Sequence, residues 1–307
     1  MSKIAFIFPG QGAQACGMGK DFYEQTETGK RIFDKATELM GFSMPQLCFE
    51  ENDRLDITEY TQAAMVTASI AMMRVLEENG INPDVAAGLS LGEYCALAAA
   101  GVMSDEDAIR TVRQRGILMQ EAVPVGEGAM AAILALDASA IEEVTGAMEG
   151  VWIANYNCPG QIVISGEKAA VEDACEKLKA AGAKRAVMLN VSGPFHSGML
   201  ADAGEKLGEV LSQVELHEPQ IPYVANVTAQ YVKSAAEVKE LLTRQVSSSV
   251  RWQQSVEAMI ADGVDTFIEI GPGKTLAGFM RKISRDVKTL NVEKLEDISK
   301  VAEALKS

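Results

Sequence analysis

The sequence has little of several residue types, and each shortage excludes a class of protein. Its 307 residues include two histidines and five cysteines, and no Cys-x-x-Cys pair occurs, so no metal site is expected. Acidic residues outnumber basic ones by 43 to 28, giving a net charge of −15, which argues against binding nucleic acid. No apolar run approaches the roughly 20 residues needed to span a bilayer, so we expect no membrane association.

Cysteine usage and the N-terminal segment bear on where the protein resides. The cysteines are scattered along the chain, as is typical of reduced thiols in a cytoplasm. The apolar segment Ile4–Phe8 ends at Pro9, which makes it too short for a secretory signal and typical of a buried strand. We therefore expect a cytoplasmic protein.

The arrangement of apolar segments predicts an α/β fold. Strands such as Ile4–Phe8 and residues 221–227 alternate with helical patterns such as residues 22–39 and 58–79, which favours a mostly parallel sheet with helices on its faces. Residues 1–126 and 193–307 are predicted to form one large α/β-hydrolase-like domain.

Residues 127–192 have a different pattern. Short segments there read in the order β-α-β-β-α-β, with a hairpin across the loop 157–160, which is the ferredoxin-like arrangement. We expect this segment to be a small α+β domain inserted into the larger one.

A Gly-x-Ser-x-Gly pattern covers Gly88–Gly92, between a short apolar segment and an Ala-rich helix former. In that context the two glycines permit a tight turn that exposes the Ser90 hydroxyl, and Leu91 offers its backbone N–H to a developing oxyanion. The alternative is an ordinary turn between strand and helix. A second glycine-rich loop, residues 9–14, resembles half of a dinucleotide fingerprint, but no acidic residue ends a second strand about 20 residues later.

Serine needs a base to remove its proton, and histidine is the usual one near neutral pH. His217 lies in a charged stretch and is predicted to be on the surface. His196 follows Gly193 and Pro194 in a turn before a helix, so it is the candidate base. No acidic residue between Ser90 and His196 ends a predicted strand of the main sheet, which favours a dyad oriented by a group such as a backbone carbonyl.

Five motifs in this order resemble the malonyl-CoA:acyl carrier protein transacylase family: Phe8–Gln14, Gly88–Tyr94, Arg115-Gly116, Gly193–Ser197 and Gly271–Lys274. The resemblance spans nearly the whole chain. It implies transfer of a malonyl group from malonyl-CoA to the phosphopantetheine thiol of acyl carrier protein through a malonyl-serine, with no cofactor. A monomer is expected.

The resemblance also implies roles for individual residues. Ser90 matches the nucleophile, His196 its base, and Arg115 the cation that pairs with the malonyl carboxylate. The remaining matches are Gln11 and Leu91, whose amides form the oxyanion hole, and Gln62 and Asn157, which line the pocket. A backbone carbonyl near the start of the Arg251-Trp252 segment is implied to orient the histidine.

Two positions concern specificity. The family commonly has histidine before the nucleophile, whereas this chain has Leu89, so any polar contact of that histidine is lost. Phe195 resembles the residue of malonyl-selective members, because a bulky ring leaves little room for an α-methyl group. The alternative functions are a serine thioesterase or hydrolase on the same turn, and a non-catalytic acyl-CoA-binding subunit.

Overall fold

The computed structural model describes residues 2–191 and 193–306. Met1, Ser192 and Ser307, which fall at ends of the predicted domain ranges, lie outside the described residues. The strands are β1 (Ile4–Phe8), β2 (Val85–Gly88), β3 (Gly128–Leu134), β4 (Val151–Cys158), β5 (Gln161–Glu167), β6 (Arg185–Met188), β7 (Tyr223–Val224), β8 (Thr266–Ile270) and β9 (Lys288–Val292).

The helices lie between these strands and after the last of them. They are α1 (Lys20–Gln25), α2 (Glu27–Met40), α3 (Met44–Phe49), α4 (Thr58–Glu78), α5 (Gly92–Ala99), α6 (Asp105–Glu121), α7 (Ala138–Gly146), α8 (Lys168–Ala180), α9 (Ala201–Leu211), α10 (Ala235–Gln245), α11 (Trp252–Ala261), α12 (Thr275–Ile283) and α13 (Asp297–Ala304). A single 3-10 turn, Gly198–Leu200, precedes α9.

The larger sheet has the strand order β7-β2-β1-β8-β9, and every pair in it is parallel. Its central strand β1 is almost completely buried, because helices cover both faces, and this explains the continuous apolar run of its sequence. The prediction of an α/β fold with a parallel sheet is confirmed. The carboxyl ends of β1, β2 and β7 lie side by side at one edge, where binding sites of such sheets form.

The smaller sheet is antiparallel, with the order β4-β5-β3-β6. One of its faces packs on α7 and α8 around a separate apolar core that includes Ile133, Ile164 and Leu178. Its edge strand β4 is joined to the larger part of the molecule: Val250 donates its N–H to the Ala154 carbonyl at 2.8 Å, and Tyr156 donates to the Val250 carbonyl at 2.9 Å. The antiparallel sheet is therefore fixed against the chain that follows α10.

Three elements differ from the sequence prediction. The predicted helix over residues 22–39 is two helices, because Thr26 is extended and its hydroxyl caps the second by accepting from the Gly29 N–H. The strand predicted over 221–227 is only two residues long. The short helix α3, capped by Ser43, was not predicted. Among the described residues no helix is both long enough and apolar enough to cross a membrane.

Candidate active site

Ser90 lies at a sharp turn between β2 and α5, with a left-handed backbone conformation (φ +54°). Both glycines of the motif are required by close backbone approach. A Cβ atom on Gly88 would lie 2.0 Å from the Gly92 carbonyl carbon, and one on Gly92 would lie 2.3 Å from the Phe8 carbonyl oxygen. The Gly-x-Ser-x-Gly pattern therefore forms a strained turn packed against the end of β1.

Asn226 holds this turn from the segment that follows β7. Its side-chain Oδ1 accepts a hydrogen bond from the Ser90 N–H at 2.6 Å, and its Nδ2 donates to the Gly88 carbonyl at 2.6 Å. Both contacts are buried, so they compensate for the strained backbone of Ser90. Sequence analysis missed Asn226; its position near the carboxyl end of a predicted parallel strand was the available signal.

The Ser90 Oγ lies 2.7 Å from the His196 Nε2. The other ring nitrogen, Nδ1, is 2.8 Å from the Gln245 carbonyl oxygen. Because a carbonyl can only accept, Nδ1 carries the proton, and Nε2 is the acceptor that faces the serine hydroxyl. The geometry is that of a serine–histidine dyad, in which a backbone carbonyl takes the place of the carboxylate of a Ser-His-Asp triad.

The source of that carbonyl corrects one prediction. The resemblance implied a carbonyl near the Arg251-Trp252 segment, but the acceptor belongs to Gln245, the last residue of α10. The last carbonyls of a helix have no intrahelical partner, so Gln245 is free to accept from the imidazole. His217 is exposed, as predicted, and lies away from Ser90.

Burial and the nearby charge of Arg115 lower the pKa of His196 to about 4, although hydrogen bonds between its ring and the backbone of Gln245 and Ser248 oppose this shift. The imidazole is therefore neutral at physiological pH and can take a proton from Ser90. The deprotonated imidazole is the form that general base catalysis requires.

Arg115 is 1% exposed and points from α6 towards the dyad. Its Nη2 donates to the Ser90 Oγ at 3.1 Å and to the Gln245 Oε1 at 3.0 Å, and its Nη1 donates to the Gln62 Oε1 at 2.8 Å. Among the described residues no carboxylate bonds to this guanidinium, and its Nε has no partner. Burial lowers the pKa of Arg115. A buried guanidinium held by neutral amides is suited to binding a carboxylate ligand.

Gly116 explains how α6 brings Arg115 to this depth. A Cβ atom there would lie 2.8 Å from the Glu59 Cα and 2.9 Å from the Thr58 carbonyl oxygen. Only glycine lets α6 approach α4 this closely, which places Arg115 beside Gln62 of α4. Helix packing thus explains why glycine follows arginine in the Arg115-Gly116 motif.

Most predicted site residues line one cleft of about 660 Å³. Its lining includes Gln11, Gln62, Ser90, Arg115, Asn157, Phe195 and His196. Leu91 is buried and does not line the cleft. No described residue accepts a hydrogen bond from the backbone amide of Gln11 or of Leu91, so both are available as donors. No group of three or more His, Cys, Asp or Glu side chains placed to hold a metal ion occurs in residues 2–191 and 193–306.

The other lining positions have distinct environments. Asn157 is 7% exposed and its Oδ1 has no partner among the described residues, while the Gln11 side chain donates to Thr58 at 3.1 Å. Leu89 also lines the cleft and packs on the loop after β1, since a Cβ at Gly10 would lie 2.7 Å from its Cδ2. Where the family commonly has histidine, this chain thus makes an apolar contact.

Glu93 and Gln245 were not singled out as site residues by sequence analysis. Glu93 follows the serine by three residues and is fully buried, and its carboxylate accepts from the Gln245 Nε2 at 2.6 Å. A glutamate inside an apolar Ala-rich helix was the signal for Glu93. Gln245 lies 155 residues from Ser90 at the end of an amphipathic helix, and nothing in the sequence marks it.

Comparison with known proteins agrees with this geometry. The acyl transferase domain family matches residues 5–300. The malonyl CoA-acyl carrier protein transacylase of Bacillus subtilis (strain 168) is 50% identical, with 100% of this chain and 98% of that protein aligned.

Solved structures show the same similarity. The malonyl CoA-acyl carrier protein transacylase of Clostridium perfringens ATCC 13124 superimposes with a TM-score of 0.96 at 42% identity, covering 99% of this chain and 98% of that one. A malonyl-transacylase solved in complex with its type II PKS acyl-carrier protein gives 0.95 at 40% identity, covering 99% and 100%. The chain therefore belongs to the acyl transferase family, among the malonyl CoA-acyl carrier protein transacylases.

Proposed function

We propose that the protein transfers a malonyl group from malonyl-CoA to the phosphopantetheine thiol of acyl carrier protein, for fatty acid synthesis, through a malonyl ester on Ser90. The observation that carries this proposal is the buried Arg115 guanidinium, whose Nη2 lies 3.1 Å from the Ser90 Oγ. A cation fixed next to a nucleophile selects an acyl group that has a free carboxylate, and malonyl is the short example.

In the first half-reaction the Ser90 hydroxyl gives its proton to the His196 Nε2 as Oγ attacks the thioester carbonyl. The negative charge that develops on the carbonyl oxygen is stabilised by the backbone amides of Gln11 and Leu91. When the tetrahedral intermediate collapses, the C–S bond breaks and the CoA sulfur takes the proton from His196. Arg115 holds the malonyl carboxylate throughout.

The second half-reaction reverses these roles with a new thiol. The carrier's phosphopantetheine sulfur loses its proton to His196 and attacks the malonyl ester, and the Ser90 oxygen recovers the proton as the C–O bond breaks. Every atom in this cycle comes from the two substrates and from Ser90 and His196. No metal or redox cofactor is needed.

The comparisons support the partners in this scheme. The relatives carry the name malonyl CoA-acyl carrier protein transacylase, and one similar structure is a complex of a malonyl-transacylase with its acyl-carrier protein. A second candidate, a serine hydrolase, is disfavoured because a carboxylate-binding arginine lies beside the nucleophile and a carbonyl stands where a triad acid would be. A non-catalytic acyl-CoA-binding subunit is disfavoured because binding alone does not require a histidine placed to take the proton of Ser90.

We also propose a fold type for each of the two predicted domains. The strand order of the small sheet, with the first and third strands adjacent in its centre, supports a ferredoxin-like insertion over residues 127–192. The turn at Ser90 supports an α/β-hydrolase-like larger domain over 1–126 and 193–307. We also propose a cytoplasmic monomer, which agrees with five unpaired cysteines; light scattering would test the mass against the 32.9 kDa of one chain.

Mass spectrometry after brief mixing with malonyl-CoA tests the proposed reaction. Wild-type protein should gain one malonyl group, located on Ser90 by peptide mapping, and lose it when holo acyl carrier protein is added. The Ser90→Ala variant should gain none. Rapid hydrolysis of malonyl-CoA without transfer would favour the hydrolase, and CoA binding without an adduct would favour the binding subunit.

A further inference from the structure

The feature that the mechanism leaves unused is the buried carboxylate of Glu93. It is 1% exposed, in the first turn of α5. Its Oε2 accepts from the Gln245 Nε2 at 2.6 Å and from the Asn226 N–H at 3.2 Å. Both of these residues also contact Ser90. A charge at this depth is costly unless an opposite charge compensates for it.

The partner is Arg115, reached through the Gln245 carboxamide. The Gln245 Nε2 donates to Glu93 and, at 2.9 Å, to the Ser90 carbonyl, which occupies both of its protons. The Gln245 Oε1 must then face the other way, where it accepts from the Arg115 Nη2 at 3.0 Å. Glu93 therefore fixes the orientation of the amide that orients the guanidinium.

The charges in this chain of contacts are balanced only while the cleft is empty. One buried cation, Arg115, faces one buried acid, Glu93. When a malonyl carboxylate binds to Arg115, two carboxylates share a single cation in a medium that screens poorly, so the resident acid is favoured to become neutral.

We propose that Glu93 is a positioning residue that acts on Arg115 through Gln245, and that it takes a proton from solvent when the malonyl carboxylate replaces it as the partner of Arg115. This inference rests on the proposed function. Burial raises the pKa of the Glu93 carboxyl to about 7, against hydrogen bonds from Gln245 and Asn226 and the charge of Arg115, so the exchange falls in an accessible pH range.

Few other ionisable groups face Glu93. Arg115 reaches it from α6, Tyr223 from β7 and Tyr94 from its own helix, and burial raises the pKa of both tyrosines, which keeps them neutral. The strands β1 and β2 contain no charged residue. Arg74 of α4 is bonded to Asp105 and Glu77. His196 also lies close to Arg115, but its pKa of about 4 leaves it uncharged near neutral pH. Within residues 2–191 and 193–306, Glu93 is thus the group near Arg115 that changes charge around neutral pH.

The pH dependence of KM provides the first test. In wild-type protein KM for malonyl-CoA should rise about 3–10-fold from pH 6 to pH 8, as Glu93 ionises and competes with the substrate carboxylate; one proton permits at most tenfold per pH unit. Acetyl-CoA has no free carboxylate, so its KM should stay flat. In Glu93→Gln, which keeps an acceptor for Gln245, KM for malonyl-CoA should stay flat too. A slope that survives this substitution would overturn the proposal.

Glu269→Gln is the matched control. Glu269 is also a completely buried acid, whose pKa burial raises to about 7, but it accepts from the Leu276 and Ala277 amides at the start of α12 and does not contact Gln245. Its variant should keep the wild-type slope of KM against pH. Loss of the slope in both variants would assign it to general destabilisation.

A second measurement uses wild-type protein only, so that a misfolded variant cannot decide the outcome. Acylation of Ser90 by malonyl-CoA at pH 7.5 in weak buffer should take up a fraction of a proton, at most one, per malonyl-serine formed, as reported by a pH indicator. Acylation by acetyl-CoA should take up none. Equal proton exchange with the two substrates would refute the role of Glu93. Absence of any malonyl-serine would instead refute the proposed function.

Discussion

Ser90 and His196 face each other with Oγ and Nε2 2.7 Å apart, and both have left-handed backbones, at φ +54° and +59°. Such a conformation costs a residue other than glycine roughly 1–3 kcal/mol. The Asn226 side chain accepts from the backbone N–H of Ser90, and the Gln245 carbonyl accepts from the His196 ring. The surrounding polar contacts thus maintain two strained residues in the relative position that proton transfer requires.

The low pKa of His196 predicts a flat pH profile for acylation. Because the folded protein holds this pKa at about 4, the base is already deprotonated above that value. At saturating malonyl-CoA the single-turnover acylation rate should change little between pH 8 and pH 5, and should fall as the pH approaches 4. Rapid-quench measurement of malonyl-serine checks this.

His196→Ala should reduce the same rate by about 10²–10⁴-fold, the usual contribution of a general base. His217→Ala is the control, since this second histidine is exposed and distant from Ser90, and its rate should match wild type. A wild-type inflection near pH 6.5, the ordinary histidine value, would contradict the buried environment described for His196.

Arg115→Ala should reverse the preference between malonyl and acetyl groups. Losing a charge-assisted contact worth roughly 1.5–3 kcal/mol should lower kcat/KM for malonyl-CoA by about one to two orders of magnitude. Acetyl transfer should improve, because the acetyl group no longer lies beside a buried cation that it cannot pair with. Arg115→Lys keeps the charge but not the planar fork, so it should restore only part of the malonyl activity. Equal losses for both substrates would show that Arg115 supports the dyad rather than the carboxylate.

Gly92→Ala tests the packing of the nucleophile turn. Its added Cβ would lie 2.3 Å from the Phe8 carbonyl oxygen, so either β1 or α5 must move. We expect the free energy of unfolding to fall by roughly 1–3 kcal/mol or more and Ser90 acylation to be largely lost. Gly278→Ala, on the exposed face of α12 with open space around it, should instead gain about 0.5–1 kcal/mol. Urea titration with mass spectrometry of the adduct measures both.

Phe195→Ser tests selection against an α-methyl group. Phe195 is 7% exposed and lines the cleft next to His196. If its ring excludes the methyl group, removing it should raise the methylmalonyl to malonyl ratio of kcat/KM by about 10–200-fold, the range for one methyl in an apolar pocket. Competition between the two CoA esters, read by mass spectrometry of the Ser90 adduct, gives the ratio. An unchanged ratio would place selectivity elsewhere in the cleft.

Local sequence determined the parts of this protein that depend on neighbouring residues. The apolar run Ile4–Phe8 had to be a buried parallel strand, and Gly88 and Gly92 had to flank a tight turn, because both follow from backbone sterics over a few positions. Because the chain has only two histidines and His217 lies in a charged stretch, the sequence also indicated His196 as the base.

Tertiary structure decided what depends on residues far apart in the chain. Gln245 lies 155 residues from Ser90 and Asn226 lies 136, and no periodicity or spacing could show that α10 and β7 end beside the nucleophile. The same holds for Glu93, which reads as one more charge on a helix until burial makes it the acid opposite Arg115. Sequence motifs identify the reacting groups. The residues that position those groups and set their protonation states are identified only in the folded protein, because burial and long-range hydrogen bonds arise when the sheet is assembled.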